Sequence, residues 1–253
     1  MIFSLFLHHN VNNEKLTNMV RICMWLFFFG GGCLLAQDIG RQPPIDSSAV
    51  RYLRMADKQS VLYYGNEQEW PPRATNHPYL KDELYSKARL SYHQVIYPEA
   101  LLRLDLSKDE LITISPGFHN IVLFPENVDF AELHGQHIIY LRRDSLPGCP
   151  STGYYILLHS GNSKVLKKNT ATLMNESDAN RMRYYYTFTT RYYLYKDGVY
   201  YNIRNQRGLL KALSPYKKEL KRFISSNALY FKKNSDVFLT RTVNEYEKIS
   251  GSL

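Results

Sequence analysis

Residues 183–204 read RYYYTFTTRYYLYKDGVYYNIR, and this stretch decides the fold. Two runs rich in Tyr, Thr, Phe and Val flank the dipeptide Asp197-Gly198. Aromatic and β-branched side chains pack well on a half-buried pleat, and Asp-Gly supplies the positive φ values of a tight primed turn. The reading is an antiparallel hairpin, with one strand from Arg183 to Tyr195 and its return from Val199 to Arg204.

The same pattern extends upstream. Tyr154 to His159 and Ser163 to Lys168 flank Ser160-Gly161-Asn162 as a second hairpin, followed by a polar stretch, Ala171 to Asn180, that reads as a loop. Further back, short strands are expected at Ser60–Tyr64, Lys87–His93, Glu99–Leu106, Glu110–Ser115, Asn120–Phe124 and His137–Arg142. Within Glu99–Leu106, Leu102, Leu104 and Leu106 alternate with Leu101, Arg103 and Asp105, a period of two. Trp70-Pro71-Pro72 and His77-Pro78 make residues 66–78 an irregular loop. Downstream, Ser214 and Pro215 suit the cap and first turn of a helix whose Tyr216, Leu220, Phe223 and Ile224 share one face. A second helix is expected from about Ser235, with Leu239, Val243 and Tyr246 buried and Gly251 beyond its end. The expected architecture is mainly β (α+β): an antiparallel meander, small barrel or sandwich with two C-terminal helices. Its segments are a meander at 51–150, a second hairpin set at 151–206 and a helical segment at 207–253. The 21 Tyr and 12 Phe, against 2 Trp, fit sheet core and surface.

The N-terminal part reads differently. From Ile22 to Ala36 the chain is uncharged and mostly apolar, with Arg21 before it and Gln37-Asp38 after. A basic start, a short apolar run and a small terminal residue describe a signal peptide at 1–36, and fifteen residues fall short of the roughly 20 of a membrane helix. Met19 is an alternative start, which makes 1–18 an over-extension. A competing reading lipidates Cys33, although Gly30 stands where such a signal prefers Leu. Residues 37–50, with Pro43-Pro44 and Ser47-Ser48, read as a flexible lead-in. Removing 1–36 also removes Cys23 and Cys33, so Cys149 has no partner for an internal disulfide. The expectation is an exported protein, periplasmic or outer-membrane-associated, with no transmembrane span in the mature chain.

Charge is the informative feature. Residues 1–36 hold Lys15, Arg21 and Glu14, which leaves 30 basic and 22 acidic residues in the remainder. Residues 204–233 contain nine basic residues (Arg204, Arg207, Lys211, Lys217, Lys218, Lys221, Arg222, Lys232 and Lys233) and a single acid, Glu219. This segment carries the whole excess. Lys217, Lys218, Lys221, Arg222, Lys232 and Lys233 are the candidate binding residues for an anionic envelope component or envelope protein, against the plainer reading of a solvated helix face. Export argues against nucleic acid as the partner.

The chain carries no recognisable catalytic motif. There is no Gly-x-Ser-x-Gly, and His159-Ser160 sits at a hairpin turn. His134 and His137 point to opposite faces of a strand, and Asp105, Asp109 and Glu110 lack the spacing of a calcium loop. No Gly-rich phosphate loop is present, and nothing implies a cofactor. Diffuse features, namely His77 to Leu80, Leu102-Arg103-Leu104-Asp105, Asp109-Glu110-Leu111, Gly153-Tyr154-Tyr155, Lys217-Lys218-Glu219-Leu220 and the Tyr246 helix, make the chain resemble a group of exported proteins of Bacteroidetes-type bacteria with no assigned activity. The resemblance spans about 52–249 and implies compartment and architecture, but no catalytic residue. The expected function is a non-catalytic envelope binding or scaffolding protein. The alternatives are a glycan-binding module using Tyr184-Tyr185-Tyr186 or Tyr192-Tyr193, and an unrecognised hydrolase.

Overall fold

The computed structural model describes residues 61–69, 73–178 and 181–251; the leader and lead-in expected at 1–50 lie outside the described residues. The chain forms β1 (Gly65–Glu67), β2 (Ser86–Tyr92), β3 (Val95–Asp105), β4 (Glu110–Ile114), β5 (Asn120–Leu123), β6 (Val128–Leu133), β7 (Gln136–Leu141), β8 (Gly153–Ser160), β9 (Lys164–Asp178), β10 (Arg181–Lys196) and β11 (Val199–Ile203), then helices α1 (Gln206–Ala212), α2 (Lys217–Ser226) and α3 (Ser235–Gly251). All the strands belong to one antiparallel sheet in the order β1-β5-β4-β3-β2-β6-β7-β8-β9-β10-β11, which does not close. The protein is therefore mainly β, with a meander in each direction from β2. Pairing of Ile138 with Ile156 carries the sheet across the 150/151 segment boundary.

Alternation builds the core. Leu102 and Leu104 of β3 lie opposite Thr113 and Leu111 of β4 and point inward, with Ala88, Leu90 and Tyr92 of β2 beside them. The sheet rolls over this cluster: Ala171 N–H on β9 donates to Leu106 C=O just past β3 (2.9 Å), although four strands separate β3 from β9 in the sheet order. An ion pair fastens the roll. Lys168 Nζ, 6 % exposed as a residue, lies 2.6 Å from Asp109 Oδ2 and 3.0 Å from Tyr154 C=O. Burial lowers the Lys168 pKa while Asp109 opposes that shift.

The helices cover a second core. Leu209, Leu210 and Leu213 of the α1 region, Leu220 and Ile224 of α2, and Phe238, Leu239 and Val243 of α3 pack on Val165, Leu194 and Ile203. Each fully buried side chain of this kind contributes roughly 1.5–3 kcal/mol relative to exposure.

The Asp197-Gly198 hairpin forms as expected, with φ of 51° and 76° at its two turn residues. Other expectations are corrected. Residues 61–63 form a 3₁₀ turn, and the strand there begins only at Gly65. β6 was not foreseen. The expected loop at 171–180 is instead largely strand, because β9 runs to Asp178 against β10; a strand partner supplies what the polar local sequence does not signal. Three helices, not two, follow the sheet. The additional one, α1, is capped by Asn205, whose side chain accepts a hydrogen bond from Gly208 N–H. Ser214 and Pro215 do not begin α2: Tyr216 occupies its N-cap, with no side-chain cap bond. Gly251 is the last residue of α3 rather than lying beyond it.

Candidate anion-binding surface

α2 segregates its residues by face. Leu220 and Ile224 are buried, whereas Lys217, Lys218, Lys221 and Arg222 are exposed. Positions four apart superimpose on a helix, so Lys217 lies beside Lys221, and Lys218 beside Arg222. Lys232 and Lys233 are exposed in the α2–α3 connection, next to Tyr230, which is 64 % exposed. Among the described residues, none of these six cations, nor Arg204, Arg207 or Lys211, makes an ion pair with a carboxylate.

The carboxylates of α3 are already engaged. Asp236 Oδ2 accepts from Lys167 Nζ at 2.7 Å, and its Oδ1 from the Tyr192 hydroxyl at 2.7 Å. Glu245 pairs with Lys248 (3.6 Å). Glu247 lies 3.0 Å from His159 Nε2 and accepts from Ser163 N–H at 2.6 Å, pinning α3 to the β8–β9 turn. The carboxylates of α3 are thus turned to other partners, and Glu219 is the one acid within the basic segment.

Seven of the nine basic residues fall into two sets. The outward face of α2 holds four. Arg204, Arg207 and Lys232 line two adjoining cavities, of about 700 and 430 Å³, that share Phe231. Arg191 of β10 joins the larger cavity. It was missed because an Arg in an aromatic strand carries no local sign of the cleft that it faces.

The other candidates do not assemble. Asp109 turns to Lys168 and the Tyr154 N–H, away from a site shared with Asp105 and Glu110. Asp105 Oδ1 instead caps the following turn at Ser107 and Lys108. His134 lies 3.7 Å from Asp82, whereas His137 stacks on Phe130, so the two rings serve different neighbours. Among the described residues, no three His, Cys, Asp or Glu converge as a metal site. His159 engages Glu247 rather than Ser160, a contact without a local signal in the sequence. Burial raises the Cys149 thiol pKa, which disfavours the reactive thiolate. Of the tyrosines considered for glycan stacking, Tyr184 is exposed, Tyr185 and Tyr192 are half-buried, and Tyr186 and Tyr193 are buried. Among the described residues, no helix is long and apolar enough to cross a membrane. No family model matches this chain, and no curated protein or solved structure matches it.

Proposed function

We propose that this protein is a non-catalytic binding or scaffolding protein of the cell envelope, exported and periplasmic or outer-membrane-associated, that holds an anionic partner at its C-terminal basic surface. One observation carries this reading: nine exposed basic residues at 204–233, with one acid among them and no ion pair formed among the described residues. Unpaired surface charge of one sign attracts counter-charged ligands over about 8–10 Å, the Debye length near physiological salt. The apolar run before Gln37 and the resemblance to exported proteins support the compartment.

The test replaces Lys217, Lys218, Lys221 and Arg222 together by Glu. None of the four is buried, so thermal stability should move little. Binding to vesicles containing anionic lipid and to inorganic polyphosphate should fall sharply in the variant. In the wild type it should weaken as salt rises. A folded variant that keeps both ligands would make the charge a solubility feature.

A further inference from the structure

β10 has an interrupted neighbour. Residues of an antiparallel strand alternate in the side to which they direct N–H and C=O. From Tyr192 to Lys196, the even-numbered residues of β10 face β11. At the other end, residues 75–76 fill the same edge: Thr75 N–H donates to Tyr184 C=O at 2.8 Å. The Asn76 carboxamide imitates a strand, accepting from Tyr186 N–H at 2.7 Å and donating to Tyr186 C=O at 2.9 Å. Between these two partners lie Phe188 and Thr190, whose outward N–H and C=O groups meet no partner among the described residues. Residues 187–190 are all exposed.

Space and charge coincide at this gap. The 700 Å³ cavity and a second of about 470 Å³ both include Thr190, one on the β11 side and the other on the side of residues 76–81. Their charged lining is Lys81, Lys167, Arg191 and Arg204, with no carboxylate. Lys167 is held by Asp236, whereas Arg191 and Arg204 at the β11 side make no ion pair among the described residues.

We propose that an extended acidic segment of a partner polypeptide docks in this gap. It adds a short strand to β10 in line with β11, with its backbone bonded to Phe188 and Thr190 and its carboxylates near Arg191 and Arg204. The edge presents both a donor and an acceptor at every second residue, a repeat of about 6.8 Å that another extended peptide backbone matches. Phosphate or sulfate groups only accept and leave the outward carbonyls unpaired. The inference rests on the proposed function for the sign of the partner's charge, and on the open edge for its conformation.

Fluorescence anisotropy with the full chain tests it, using a labelled peptide of alternating Glu and Val, two versions of that peptide N-methylated at alternate residues (one in each register), and inorganic polyphosphate. N-methylation on the bonding edge removes hydrogen bonds and keeps charge, so affinity should fall at least about tenfold. Thr190→Pro removes an outward N–H and should weaken the peptide while leaving polyphosphate unaffected. Equal binding of the parent peptide and both methylation registers overturns strand addition and leaves the charge reading standing, as does binding of polyphosphate alone. Binding of none of the probes overturns both. If Thr190→Pro does not fold, the methylated peptides still decide on the wild-type protein.

Discussion

Removing Asp109 should damage this fold more than removing its partner Lys168, and the structure supplies the reason. Lys168 Nζ is bonded to Asp109 and to the Tyr154 carbonyl, 4.8 Å from the centre of the Tyr155 ring, and its side chain is 8 % exposed. Asp109 is less enclosed, with its side chain 29 % exposed and further contacts to the Tyr154 N–H at 3.3 Å. Asp109→Ala therefore strands an ammonium with one carbonyl, which should cost about 3–5 kcal/mol, the range for a broken buried pair. Lys168→Met leaves a carboxylate that water reaches and should cost about 1–2 kcal/mol. The double variant, with no buried charge left, should be more stable than Asp109→Ala alone. Urea unfolding with unchanged slope gives the three differences as one cycle. The Lys168 pKa is lowered in the fold, so the unfolded chain binds the proton more tightly. Stability from this group should rise with pH from the depressed native value to the ordinary lysine value, more steeply in Asp109→Ala. Equal costs for the two single substitutions, or a strictly additive double variant, would refute this account of the roll's fastening.

Gly198→Val places a β-branched residue at φ 76° where no atom lies within 4 Å of the added Cβ, so only backbone strain opposes it. It should cost about 1–2 kcal/mol, and Gly198→Asn less, as read from denaturation midpoints. Burial raises the Glu110 pKa, and its Oε2 has no hydrogen-bond partner among the described residues. The native state thus keeps this proton after the unfolded chain has released it, and the group's stability contribution falls as pH rises through that window. Glu110→Gln should remove this loss, so the variant should gain on the wild type in pH-resolved melts as pH rises above the ordinary glutamate range.

Features encoded within a few consecutive residues were legible. Asp197-Gly198 turns because those two residues accept positive φ, and Leu102 to Leu106 declares its buried face by alternation. The basic run at 204–233 was legible as charge, and the buried stripe Leu239, Val243 and Tyr246 of α3 as a helical period. Features that depend on a partner distant in the chain were not. Residues 171–178 are polar and read as a loop, yet β10 supplies the hydrogen bonds that make them strand. α1 is only seven residues long and is held by Leu209, Leu210 and Leu213 in a core that exists only when the sheet is assembled. His159 and Glu247 lie 88 residues apart, and nothing near either predicts their contact.

By itself, then, the sequence determined the antiparallel β character, the tight turns, the helical ending and the sign of the C-terminal charge, since all of these follow from local sterics, period and composition. The tertiary structure alone decided that one sheet rolls over its core under a buried Lys168–Asp109 pair and that the acids of α3 are consumed internally. It also decided that, among the described residues, nothing pairs with the β10 edge between Asn76 and β11, beside Arg191 and Arg204. Those features depend on which distant groups come within bonding distance, and that is set by the packing of the whole sheet rather than by any window of residues.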